Sequence, residues 1–177
     1  MKDKFQNNGI NRSELSCGYC SVLKKAVFFD RDGVLNVDKS YLYKIEELEW
    51  IDGAREGIAY LTKLGYLVFV ITNQSGIARG YYTVEDMNKL HAYMQKEIAK
   101  IGGQIDKFYY CPHLPNGIVP EYAIECNCRK PKPGLLLQAM KDYPIDKSKS
   151  FLIGDKDRDV EAAEAVDIKG YLFKQGN

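Results

Sequence analysis

The stretch Ala26-Val27-Phe28-Phe29-Asp30-Arg31-Asp32-Gly33 governs how the rest of the chain reads. Four consecutive apolar residues match a strand buried on both faces, as in a parallel sheet. Two carboxylates follow, two residues apart. An ionised carboxylate beside a buried strand is costly unless it is paired or bound to a metal. A hard cation such as Mg²⁺ prefers oxygen ligands, often one or two carboxylates with phosphate oxygens. The plainer reading is an Asx-type turn that closes the strand.

Outward from this stretch, strand and helix signals alternate. Gly53–Leu64 carries apolar residues at Ile58, Leu61 and Leu64, a helical period, with Gly65 as the stop. Tyr66–Ile71 reads as a second buried strand. Thr83 opens a helix to about Lys100, and Ile105–Tyr110 is a third strand. A loop rich in Cys and Pro runs from Cys111 to Pro133. A helix over Leu135–Tyr143, a strand over Ser150–Ile153, a helix over Asp157–Val166 and a strand over Gly170–Phe173 complete the pattern. This is an α/β fold: a three-layer, Rossmann-like arrangement with a mostly parallel central sheet. Ligands of such sheets bind beyond the carboxyl ends of the strands. Residues 1–24 are polar and without period, and read as a peripheral extension to one domain over residues 25–177.

The chain has 177 residues, with 25 Lys+Arg against 24 Asp+Glu and a formal net charge of +1. That balance speaks against a broad nucleic-acid surface. No apolar run approaches the length of about 20 residues that spans a bilayer, and no signal-peptide pattern is visible. The expectation is a cytosolic protein, monomeric, with a small-molecule ligand and neither a nucleic-acid nor a membrane partner. Five cysteines, an odd number in a reducing compartment, point to metal binding or burial rather than disulfides.

Three further clusters sit at or near strand ends. Thr72-Asn73-Gln74-Ser75-Gly76 offers hydroxyls and backbone N–H groups suited to a phosphate, or an ordinary strand-to-helix turn. Arg129-Lys130-Pro131-Lys132 puts three cations within four positions, for phosphate or simply for solvent. Gly154-Asp155-Lys156-Asp157-Arg158-Asp159 supplies a second metal carboxylate at Asp155, while Asp157 or Asp159 caps the next helix.

Taken in this order, carboxylate pair, hydroxyl, lysine and carboxylate, the segment from about Lys25 to Phe173 resembles the haloacid-dehalogenase (HAD) superfamily phosphatases. The resemblance implies a Mg²⁺-dependent phosphomonoester hydrolase without a large cap domain. It makes Asp30 the nucleophile and Asp32 the general acid and base. It assigns Mg²⁺ to Asp30, the main-chain carbonyl of Asp32, and Asp155, and the transferred phosphoryl group to Thr72 and Lys130. Val34 departs from the Thr that many members carry there. That Thr is neither acid, base nor metal ligand, so the departure leaves the assignment intact.

Cys111-Pro112-His113 and Cys126-Asn127-Cys128 supply three thiols and one imidazole, a donor set typical of structural zinc. The alternatives are unligated buried cysteines, or a zinc set drawing on Cys17 and Cys20. Within the superfamily, this loop resembles the D-glycero-D-manno-heptose 1,7-bisphosphate phosphatases and the histidinol-phosphate phosphatases. The long spacer from Leu114 to Glu125 matches the heptose group. That resemblance implies removal of the 7-phosphate, with substrate contacts at Asp38, Lys39, Ser40, Tyr41, Asn73, Gln74, Ser75, Arg129 and Lys156. Histidinol-phosphate phosphatase is the alternative. A polynucleotide end phosphatase and a non-catalytic zinc-stabilised module fit less well. His91 reads as a surface residue of its helix, and Trp50 as packing.

Overall fold

The computed structural model describes residues 22–174. The N-terminal extension, Cys17 and Cys20 therefore lie outside the described residues, apart from the extension's last three. The strands are β1 (Ala26–Phe29), β2 (Leu67–Asn73), β3 (Lys107–Cys111), β4 (Phe151–Gly154) and β5 (Lys169–Leu172). The helices are α1 (Ala54–Lys63), α2 (Val84–Ala99), α3 (Gly134–Asp142) and α4 (Asp157–Glu164). Each expected element is present, with bounds shifted by no more than a few residues. All pairings are parallel, in the order β3-β2-β1-β4-β5.

Alternation along the strands builds two cores. Val27 and Phe29 of β1 and Val68 and Val70 of β2 pack on Ile58 of α1 and on Leu90, Met94 and Ile98 of α2. Ala26 and Phe28, with Phe69 and Ile71, face Leu136 and Ala139 of α3 and Ala162 and Ala163 of α4. Both faces are thus covered, which is why β1 needs four apolar residues in a row. The chain moves outward from β1 to β3 and then returns past β1 to β4, so strand order reverses between β1 and β4. That reversal opens a crevice at the carboxyl edge, where Asp30 and Asp155 emerge. Among the described residues, no helix is long and apolar enough to cross a membrane.

The loop from Asp30 to Gly53 is pinned from below by Arg31, whose side chain is fully buried. Its Nη2 donates to Leu42 O at 2.9 Å, and its Nη1 meets His91 Nε2 at 3.1 Å. His91 is only 5% exposed and stacks on Phe108, so it is not the surface residue its helical position suggested. Its neighbours Leu90 and Met94 turn the same face inward. Arginine has no acceptor, so Nε2 must be bare and the ring neutral, with its proton on Nδ1. Burial, with the Arg31 charge beside it, holds the imidazole well below its ordinary value of 6.5. Folded His91 therefore stays neutral where unfolded His91 takes up a proton. The stability it contributes is present above pH ~6.5 and is lost as pH falls below it. Chemical denaturation of wild-type and His91→Leu protein should show their stability difference shifting against the wild type as pH falls below ~6.5, by at most about 1.4 kcal/mol per pH unit. A pH-independent difference would mean that folded His91 is protonated.

Candidate active site

The site grows from the ends of β1, β2 and β4. Asp30, one residue past β1, is 4% exposed and accepts a hydrogen bond from Arg31 N at 2.7 Å. Burial pushes its carboxyl up to about 6, opposed by Lys130 and reinforced by Asp159 and Asp32. A divalent cation at this point would reverse that direction. Lys130 arrives from the loop before α3 and is 3% exposed. Its Nζ lies 2.9 Å from Asp30 Oδ1 and 2.6 Å from Asp159 Oδ1, and donates to Ile71 O at 2.7 Å. Asn73 at the end of β2 grips the Lys130 backbone from both sides, donating to its O and accepting from its N at 3.2 and 3.1 Å.

Asp32 lines the same cleft but is held by other side chains than Asp30. Its carboxylate accepts from Arg31 Nε and Nη2, from Asn36 Nδ2 at 2.9 Å and from Gln74 Nε2 at 3.0 Å. Gln74 also donates to Thr72 Oγ at 2.8 Å and accepts from Tyr82 at 2.5 Å. The expected clusters at Asp30 and Thr72 are therefore joined by one amide side chain. Gln74 is 2% exposed. It lies beneath the cleft, not in its lining.

Asp30, Asp155 and Asp159 bring one carboxylate oxygen each to within 4.8 Å of one another. Asp155 Oδ1 is buried and has no hydrogen-bond partner, while its Oδ2 is paired with Lys156 at 2.7 Å. Gly33, at φ +87°, passes so close to Asp155 that any side chain there would overlap the carboxylate. An orphaned carboxylate oxygen among hard donors fits a Mg²⁺ ion. The side chain of Asp32 stays out of this cluster.

The cleft above has a volume of about 270 Å³ and a mainly polar lining. Asp38, Ser40, Tyr41, Asn73, Ser75 and Arg129 line it together with Asp30, Asp32 and Thr72. Lys39 instead pairs with Glu49 at 3.0 Å, and Lys156 is committed to Asp155. The structure adds Arg158, from the first turn of α4, to the lining. Among the described residues, neither Arg129 nor Arg158 has a carboxylate partner within ion-pair distance. From the sequence, Asp159 is expected, like Asp157, simply to cap α4. It does accept from Lys156 N at 3.0 Å, but it is fully buried and also holds Lys130. The available signal was its position four residues, one helical turn, beyond Asp155.

The second donor cluster starts where β3 ends. Sγ of Cys111 lies 3.5 Å from that of Cys126 and 3.1 Å from that of Cys128, and Cys126 and Cys128 are 3.3 Å apart. His113 Nδ1 sits 3.2 Å from Cys128 Sγ and 3.7 Å from Cys111 Sγ. Four soft and borderline donors converge on one point, a set that could bind a metal. Burial pushes the Cys111 thiol up, so ionising it in place calls for a cation. Because β3 pairs with β2 through Asn73 and Cys111, this cluster is fixed beside the residue that grips Lys130.

Residues 127–177 match the HAD-hydrolase-like family model. The chain is 46% identical over 155 residues to the D-glycero-beta-D-manno-heptose-1,7-bisphosphate 7-phosphatase of Pasteurella multocida, covering 87% of this chain and 84% of that protein. It is 49% identical over 144 residues to the D-glycero-alpha-D-manno-heptose-1,7-bisphosphate 7-phosphatase of Campylobacter jejuni, covering 81% and 78%. The crystal structure of D,D-heptose 1,7-bisphosphate phosphatase from B. bronchiseptica, complexed with magnesium and phosphate, superposes with a TM-score of 0.75 at 34% identity, over 84% of this chain and 79% of that one. The fold, the strand-end carboxylates and these relatives agree: the chain belongs to the HAD-like phosphatases, in the family of the heptose-1,7-bisphosphate 7-phosphatases.

Proposed function

We propose that this protein is a cytosolic, monomeric phosphatase that removes the 7-phosphate of D-glycero-D-manno-heptose 1,7-bisphosphate. The observation that carries the reading is the joint placement of Asp30, Asp155 and Lys130 beneath a cleft that also exposes two arginines without carboxylate partners. Asp30 attacks phosphorus and forms an aspartyl-phosphate, releasing the sugar alkoxide. Asp32 passes a proton to that alkoxide, then takes one from the water that hydrolyses the intermediate. Thr72 orients the phosphoryl oxygens. Lys130 holds Asp30 in place and offsets the charge that builds as the two anions meet. Mg²⁺, held by Asp30, Asp155 and the main-chain carbonyl of Asp32, would neutralise phosphoryl oxygens and relieve repulsion of the nucleophile.

A bisphosphate needs cationic contacts for its second phosphate, apart from those at the reacting one. Arg129 and Arg158 supply them, since a guanidinium matches phosphate oxygens in a planar fork. Asp38, Ser40 and Tyr41 on the facing loop are placed for the sugar hydroxyls, with Ser75 beside them. Both anomeric names occur among similar relatives, so the substrate proposed is the heptose bisphosphate as a class. The Cys111–His113–Cys126–Cys128 cluster takes a structural Zn²⁺ that stiffens the loop presenting Arg129 and Lys130.

Phosphate release from both heptose bisphosphate anomers and from histidinol phosphate should favour a heptose bisphosphate; a preference for histidinol phosphate would overturn the substrate. Asp30→Asn should lower kcat by ~10³-fold or more with the fold intact by circular dichroism. Removal of Mg²⁺ by a chelator should likewise stop turnover and be reversed by Mg²⁺. Cys126→Ser should lose zinc by elemental analysis and lose activity while keeping Asp30; full activity in zinc-free protein would contradict the structural role. Arg129→Gln and Arg158→Gln should each raise KM for the bisphosphate by about tenfold, with little effect on a monophosphate substrate. Equal losses on both substrates would remove these arginines from the second phosphate.

A further inference from the structure

The buried pair Arg31 and His91 performs no step of the chemistry above, yet it touches the proposed acid and base. Arg31 Nη2 reaches both carboxylate oxygens of Asp32 at 3.0 Å, and Nε reaches Oδ1 at 3.2 Å. Both contacts use one edge of the guanidinium, and Leu42 O is also met from Nη2. His91 alone among these partners engages Nη1. A planar fork held on one edge can pivot; a contact on its other arm fixes its plane. The imidazole is itself fixed, lying flat on Phe108 of β3 with centroids 4.3 Å apart and planes 12° apart. The path from β3 through α2 to the strand-end loop is thus continuous, with Arg31 and His91 buried and Phe108 partly so. Asn36 and Gln74 hold Asp32 as well, so the loss of His91 must cost less than the loss of Asp32.

We infer that His91 is a positioning residue for Asp32: by holding Nη1 of Arg31, it sets the angle at which the Asp32 carboxyl meets the leaving oxygen. This rests on the reading of Asp32 as the acid. A merely structural His91 would lower activity on every phosphomonoester alike. A positioning His91 affects substrates according to their need for a proton. A sugar alkoxide needs one to depart, whereas nitrophenolate does not. The ratio of kcat/KM for p-nitrophenyl phosphate to that for heptose bisphosphate separates the two, because kcat/KM ends at leaving-group departure. The ratio also cancels any difference in the fraction of folded protein.

The test measures this ratio in wild type, Asp32→Asn, His91→Leu and His91→Gln. Asp32→Asn should raise it by ~10²-fold or more. His91→Leu should raise it by about tenfold, and His91→Gln, which keeps an acceptor for Nη1, should stay within about twofold of wild type. An unchanged ratio in His91→Leu beside a raised one in Asp32→Asn would overturn the inference and leave the phosphatase reading standing. A glutamine variant as altered as the leucine variant would overturn it too. An unchanged ratio in Asp32→Asn would remove Asp32 as the acid, and the inference with it.

Discussion

One buried ammonium governs this site. Lys130 Nζ sits between Asp30 and Asp159 at 2.9 and 2.6 Å, with all three side chains almost wholly out of solvent. Three carboxylates converge at the end of β1 and β4, and their mutual repulsion and desolvation would neutralise them without compensating charge. The lysine supplies part of that charge, and a divalent cation would supply the rest. A buried ion pair of this kind is weak evidence for stability, because desolvation cancels much of the attraction. Its value lies in placement: a carboxylate held in a fixed orientation at the floor of the cleft.

The surrounding structure can be understood as support for that placement. The strand reversal between β1 and β4 makes the crevice. Asn73 clamps the main chain of Lys130, and Cys111 follows directly in register on β3, so the four-donor cluster braces the same loop. Gly33 and Gly154 leave room where Asp155 and Asp159 come in, because a side chain at either position would overlap a carboxylate group. A chain of contacts, one hydrogen bond and one ring stack, then joins the loop after β1 to α2 and β3 through Arg31, His91 and Phe108.

Much of this was legible in the residues. A doubly covered parallel strand must be apolar throughout, so β1 and β2 announce themselves, and each is followed by its polar cluster. The cysteine and histidine donors are equally plain, because few other roles need three thiols and an imidazole in one loop. What escaped was the interior polar network. Arg31 and His91 look like solvent-facing residues by type, and burial of an arginine depends on partners distant in sequence, such as Leu42 O and His91. Gln74 reads as a ligand-binding turn residue until its amide is seen spanning Thr72 and Asp32. Asp159 hides behind an ordinary role as helix cap, and Arg158 gains its place at the cleft only from the orientation of α4.

The proposed transfer of the phosphoryl group to Asp30, held by Lys130, is the step on which the mechanism stands. It is tested most directly by quenching the enzyme during turnover with borohydride, which reduces an aspartyl-phosphate to homoserine, and mapping the product by peptide mass spectrometry. Homoserine is expected at position 30, and none in Asp30→Asn. Sustained turnover of wild-type protein with residue 30 unmodified, or with the modification at another carboxylate, would contradict it.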